Sequence, residues 1–259
     1  MPSKPALPPR TIKLLIGYDG TGFSGWQRQR HDRTIQGEIE SRLAVMTTED
    51  IALHGAGRTD AGVHAEGMVA HFRTHSSISC AVIVRGLNAM LPGAIRIYQA
   101  EEVDPSFHAR FSATGKQYEY SVYTGRIQPP HMRLYTLHIT SPLDFGAMRE
   151  CLKLLEGTHD FSSFENSGSR DKDDCSGRGA IRTIYEAVIR ENTPKLFAFQ
   201  FTGDGFLRNM VRNLVGTLLD AGRGNVSVAD FARILNARDR TVAGPTVPAH
   251  GLRLNKVLY

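Results

Sequence analysis

Residues 51–74 read IALHGAGRTDAGVHAEGMVAHFRT. Two strand-like stretches, 51–56 and 68–74, flank a loop that carries Gly55, Gly57 and Gly62. Glycine lets a backbone turn tightly and lets a ligand or a second chain segment come close. Inside the loop, Arg58 stands two residues from Asp60. At that spacing a guanidinium can keep a carboxylate ionised and aimed. A charged residue between two strands is often only a solvated turn, so the loop has to be weighed against the rest of the chain.

Working outward, residues 11–17 alternate as a strand. Ile35, Ile39, Leu43 and Met46 recur at helical spacing behind Thr34, which is placed to cap them. Val82, Ile83, Leu87 and Met90 mark a second helix, stopped by Pro92-Gly93, and residues 95–103 close with a strand. The order is β-α-β-β-α-β. The second half offers a similar order. It has strands at 117–123, 181–190 and 197–201, helix stripes through Phe145 to Leu155, Phe206 to Leu218 and Phe231 to Leu235, and a closing strand at 252–258. The expected class is α+β: two RRM-like, ferredoxin-like lobes forming an extended mixed sheet with a central basic cleft. The lobes fall at 11–106, carrying the Asp60 loop, and at 107–259, after a flexible tail at 1–10. A polar segment, 166–179, cannot bury a core and reads as a mobile loop.

The 259 residues carry 31 basic and 26 acidic side chains, a formal charge of +5, and only 7 of the basic residues are lysine. Arginine suits bidentate phosphate contact, so the excess points to nucleic acid. No apolar run reaches the ~18 residues of a membrane span, and the proline-rich N-terminus lacks the apolar core of a secretory signal. Three separated cysteines without a CxxC pair argue against a disulfide framework or a structural zinc site. A reducing cytoplasm is the natural setting.

Gly20-Thr21-Gly22-Phe23-Ser24-Gly25 formally matches GxGxxG. Dinucleotide binding needs a helix to begin inside that turn, and here residues 26–33 intervene. Those residues mix Trp26 with Arg28, Arg30 and Arg33. They read equally as phosphate contacts around an aromatic anchor and as a solvated loop with Trp26 tucked into the core. His71 and His75 on a strand would lie ~13 Å apart, too far for one metal ion. Arg208 and Arg212, four apart at the start of a helix, would share a face and oppose the local dipole, which favours an anionic partner. Tyr118 is either strand packing or an aromatic platform for a base.

Together these pieces resemble the tRNA pseudouridine synthase A (TruA) family. The matching strings are Tyr18-Asp19-Gly20, Gly25-Trp26-Gln27-Arg28, residues 56–64 (AGRTDAGVH), residues 107–113 (FHARFSA), Met210-Val211-Arg212-Asn213 and Gly251-Leu252. Ala61 and His64 favour the bacterial or organellar type, and the segment 166–179 looks longer and more polar than the usual family loop. The resemblance implies isomerisation of uridine to pseudouridine at positions 38, 39 and 40 of the tRNA anticodon stem-loop. It also implies a homodimer that needs neither cofactor nor metal. Asp60 is then the catalytic carboxylate, as nucleophile or as base at the ribose, with Arg58 holding the flipped nucleotide's gap or a phosphate. Arg212 matches the arginine that pairs with this aspartate. Tyr118 matches the aromatic that stacks on the target base, and Leu252 the apolar lining of its pocket. Trp26, Gln27, Arg28 and Arg208 join the substrate-binding set. The competing reading is a non-catalytic RNA-binding protein with two RRM-like lobes, which explains the charge and the element order but not the Arg58-Thr59-Asp60 loop.

Overall fold

The computed structural model describes residues 8–166 and 177–259. Ten β-strands and five α-helices are present among them, so the fold is mixed α and β. Most of the polar segment expected to be a mobile loop lies outside the described residues. The chain divides into two compact units, one reaching to Thr114 and taking back Leu254–Tyr259, the other spanning Gly115–Arg253.

The first unit runs β1 (Arg10–Tyr18), α1 (Ile35–Thr47), β2 (His54–Gly55), β3 (His64–Thr74), α2 (Cys80–Met90) and β4 (Ile95–Val103). The β-α-β-β-α-β order is the one read from the sequence. β1 is central, antiparallel to both β3 and β4, with Leu14 opposite Ala70 and Ala100. Ile12, Leu14 and Ile16 are fully buried on it. The closing strand β10 (Leu252–Leu258) lies against β3. Thr34 caps α1 as expected, its side chain accepting from the Gly37 N–H. α1 buries Ile35, Ile39 and Leu43, and α2 buries Ile83 and Leu87.

The strand expected at 51–56 is only the two-residue ladder β2. Ile51 and Leu53 are buried as their alternation demanded. The Leu53 backbone, however, is satisfied by side chains of α1: its N–H donates to Glu40 Oε1 at 2.9 Å and its carbonyl accepts from Gln36 Nε2 at 2.9 Å. A ladder partner is therefore unnecessary there.

The second unit holds β5 (Gly115–Tyr123), β6 (Leu137–His138), α3 (Phe145–Lys153), β7 (Gly157–Asp160), β8 (Ile181–Thr193), β9 (Leu196–Gly203), α4 (Met210–Gly222) and α5 (Val228–Ala237). β5, β9, β8 and β7 pair in that order, all antiparallel, and β6 adds parallel to β5. Tyr118 and Tyr120 of β5 stand opposite Phe201 and Phe199 of β9. On α4 every residue except Arg212 and Asp220 is buried, so the helix is a core element rather than a one-sided stripe. It starts at Met210, not at Phe206. Asn209 adopts a left-handed conformation (φ 61°), which a right-handed helix cannot run through. Arg208 therefore sits in the turn before the helix and does not share a helical face with Arg212.

His71 of β3 is buried, with its ring 5.2 Å from His54 and 4.7 Å from His108. Its Nδ1 accepts from the Ala109 N–H at 3.1 Å. Burial first, and then the neighbouring histidines, pull its pKa down from 6.5 to about 4. Below pH 6.5 the unfolded chain binds a proton that the folded chain refuses, so stability falls as pH drops from 6.5 towards 4. His71 should contribute about 2 kcal/mol to the loss of stability between pH 7 and 5. Denaturant unfolding of the wild type and of His71→Gln at the two pH values measures this. The variant should lose less stability than the wild type, and parallel losses would assign the acid sensitivity elsewhere.

Candidate active site

The loop of Arg58 and Asp60 is held by the end of β1 and the segment that follows it. The Tyr18 hydroxyl and Thr59 Oγ1 form a buried hydrogen bond of 2.8 Å. The Trp26 N–H donates to the Thr59 carbonyl at 3.1 Å. Thr59 is thus gripped through both its side chain and its backbone, and it is itself buried. One residue to either side, the chain turns outward: Arg58 is exposed and Asp60 half-buried. The Val63 N–H donates to the Asp60 carbonyl at 3.1 Å, closing a turn directly after the carboxylate. His64 anchors the far end, its Nδ1 accepting from the Gly20 N–H at 3.1 Å.

Glycine is required at two contacts of this grip. A Cβ on Gly20 would stand 2.1 Å from the Val63 carbonyl oxygen, and one on Gly25 would stand 2.6 Å from that of Thr59. Gly25 also has a φ of 90°, which other residues rarely adopt. The string that formally matches a dinucleotide fingerprint is therefore a cradle for the Asp60 loop. No helix starts within it; α1 begins at Ile35.

Trp26 is 1% exposed, with its ring 6.0 Å from that of Tyr18. It is an interior anchor, as both readings of residues 26–33 required, and its burial does not choose between them. Gln27 is exposed, and its Oε1 accepts from Arg58 Nε at 3.1 Å. Arg28 reaches back to α1, where its guanidinium meets Glu40 at 3.0 Å. The first unit thus brings Arg58, Asp60, Trp26, Gln27 and Arg28 into one region.

The remaining candidates belong to the second unit. Arg212 donates from Nε to the Val247 carbonyl at 2.7 Å and from Nη1 to Asn209 Oδ1 at 2.9 Å. Its guanidinium is therefore fixed, although α4 is otherwise nearly all core. The segment it touches continues to Pro248, whose carbonyl accepts from the Tyr120 hydroxyl at 2.8 Å, and then to Leu252, buried at the start of β10. Burial pushes the Tyr120 hydroxyl well above its ordinary pKa, against the opposing pull of Arg212. Tyr118 is 8% exposed and meets Phe206 edge-on at 5.1 Å. Arg208 is exposed, and its carbonyl accepts from the Asn166 N–H at 3.2 Å. Sequence reasoning missed two supports. One is the Tyr18–Thr59 hydrogen bond, and the other is the 247–251 segment that holds Arg212. Only the strings Tyr18-Asp19-Gly20 and Gly251-Leu252 hinted at them.

The family model described as tRNA pseudouridine synthase matches residues 14–112 and 151–259. The tRNA pseudouridine synthase A 1 of Desulfotalea psychrophila is 57% identical over 250 residues, covering 96% of this chain and 100% of that protein. The tRNA pseudouridine synthase A of Acetivibrio thermocellus is 43% identical over 250 residues, covering 96% and 100%. That of Exiguobacterium is 44% identical over 250 residues, covering 96% and 98%. A solved archaeal box H/ACA sRNP Nop10–Cbf5 complex aligns at 12% identity and a TM-score of 0.34, over 90% of this chain and 60% of that one, a likeness too weak to bear on the fold. The agreement of relatives over nearly the full chain disfavours a non-catalytic RNA-binding protein. On the clamped Asp60 loop and this family match, the chain belongs to the tRNA pseudouridine synthases, enzymes that isomerise uridine in tRNA.

Proposed function

We propose that the protein converts uridine to pseudouridine at positions 38, 39 and 40 of the tRNA anticodon stem-loop, acting as a homodimer of chains whose two units work as RRM-like lobes. The observation that carries the reading is the grip on Thr59, which turns Arg58 and Asp60 outward on a fixed backbone. A carboxylate that attacks or deprotonates a ribose must be held within a fraction of an ångström of its target. A residue anchored on both sides by buried hydrogen bonds meets that demand.

The target uridine leaves the stack, because a stacked and paired base cannot be detached, turned and rejoined. Arg58 takes a phosphate or fills the gap left in the helix. Asp60 acts at the ribose, either bonding to C1′ as the N1–C1′ bond breaks or removing a ribose proton. The freed base turns so that C5 faces C1′, and the C5–C1′ bond forms as the Asp60–C1′ bond breaks or, on the base route, as the ribose proton is returned. The C5 proton then departs while N1 gains one. Product and substrate are isomers, so the reaction balances without an oxidant, a reductant or a co-substrate. Arg212 is assigned to the Asp60 carboxylate. Tyr118 stacks on the base and assists loss of the C5 proton, and Leu252 lines the apolar side of the base pocket. Gln27, Arg28 and Arg208 meet the RNA backbone, with Trp26 anchoring their loop.

Two outcomes are expected. Transcripts labelled with tritium at uridine C5 should release tritium on addition of the purified protein alone, and release should drop in step as uridines 38, 39 and 40 are replaced by cytidine. Release unaffected by those replacements would contradict the positional assignment. Gly20→Ala should force the Val63 carbonyl away and shift the loop. Since a misplacement near 1 Å can cost about a hundredfold in rate, single-turnover tritium release should fall by that order. A variant that releases tritium at the wild-type rate would show that Gly20 does not set the loop.

A further inference from the structure

Phe111 is 73% exposed, yet it stands on a turn tied by several hydrogen bonds. Its ring lies 4.3 Å from that of His108, at an interplanar angle of 34°. His108 cannot swing away, because its Nδ1 accepts from the Arg110 N–H at 3.1 Å and from the Phe111 N–H at 3.3 Å. Beneath it, the His71 ring meets His108 edge-on. Ala109 between them is fully buried, and its carbonyl accepts from the Tyr259 hydroxyl at 2.7 Å. The entry to the turn is tied as well: Asp104 accepts from the Ser106 backbone and side chain, and Arg73 donates to the Pro105 carbonyl at 3.2 Å. The Arg110 guanidinium stands 5.7 Å from the Phe111 ring.

An exposed phenylalanine forgoes the stabilisation that burial would give it. Here a network of hydrogen bonds holds the ring out rather than letting it fold down. A rigid aromatic face beside a guanidinium is the arrangement by which proteins stack unpaired nucleobases, with the cation meeting the ring or the phosphate. We propose that Phe111, backed by His108 and flanked by Arg110, is a stacking platform for one unpaired base of the RNA substrate, outside the set of residues assigned to the reacting uridine. The proposal rests on tRNA being that substrate. Stacking of this kind reads no sequence, so the platform would hold many tRNAs alike.

The test uses full-length protein and a dye-labelled tRNA transcript, with equilibrium binding followed by fluorescence anisotropy. Phe111→Ala and Phe111→Leu should each bind about tenfold more weakly than wild type, while Phe111→Trp keeps the affinity, because stacking needs a ring and not merely an apolar side chain. Saturating tRNA should also quench the emission of Phe111→Trp, read against wild-type protein, whose single tryptophan is buried. Wild-type affinity in Phe111→Ala, or equal affinity in the leucine and tryptophan variants, would overturn the platform. So would a weakened Phe111→Ala that sediments as a smaller particle, which would assign the ring to a subunit contact. Wild-type protein that neither binds the transcript nor releases tritium from it would instead bring down the tRNA reading itself, and this proposal with it.

Discussion

The hold on Thr59 is the constraint from which the loop of Arg58 and Asp60 takes its shape. A loop rich in glycine has many conformations to lose, and ordering it is costly. The protein meets that cost with buried contacts from the end of β1 and the segment joining it to α1: the Tyr18 hydroxyl, the Trp26 N–H and the Gly20 N–H all reach into residues 59–64. That segment is in turn pinned to α1, since the Ile35 N–H donates to the Gly25 carbonyl and the Gln36 N–H to the Trp26 carbonyl. Helix, cradle and Asp60 loop therefore form one mechanical unit.

In the second unit the same logic operates on a cation. α4 is almost wholly core, so its first turn, where Arg212 is half-buried, is positioned by the packing of the whole helix. Arg212 sits on that turn with its guanidinium aimed by Val247 and Asn209. A flexible arginine would have to give up rotamer freedom on meeting an anion, whereas one held by two hydrogen bonds has already done so. The left-handed Asn209 that ends the preceding turn also supplies one of those two acceptors.

Much of this was legible in the residues. Periodicity located β1, α1, α2, β5 and β10, because each is a regular element whose buried face follows its own repeat. It misplaced the strand at 51–56, where burial alternates but the backbone is satisfied by Gln36 and Glu40. Alternation reports which side chains are inside, not where the N–H groups go. It also started α4 too early, since apolar spacing through Phe206 cannot reveal a left-handed residue at 209. The candidate pair Arg58 and Asp60 could be read from composition and spacing alone. The grip that holds the pair's loop could not, because Tyr18 and Thr59 are 41 residues apart and nothing local marks them as partners. Likewise the late start of the helix already argued against a phosphate loop at Gly20 and Gly25, but the sequence could not show which chain these glycines accommodate.

The carboxylate of Asp60 is the group on which the proposed chemistry turns, and replacing it by the amide of like shape tests that most directly. Asp60→Asn keeps the size of the side chain but removes both its nucleophilicity and its basicity. Under single-turnover conditions with saturating tRNA labelled at uridine C5, the variant should bind the RNA with near-wild-type affinity and release no tritium. Release at a rate comparable to the wild type would mean that another group performs the isomerisation and that the clamped loop serves only to bind.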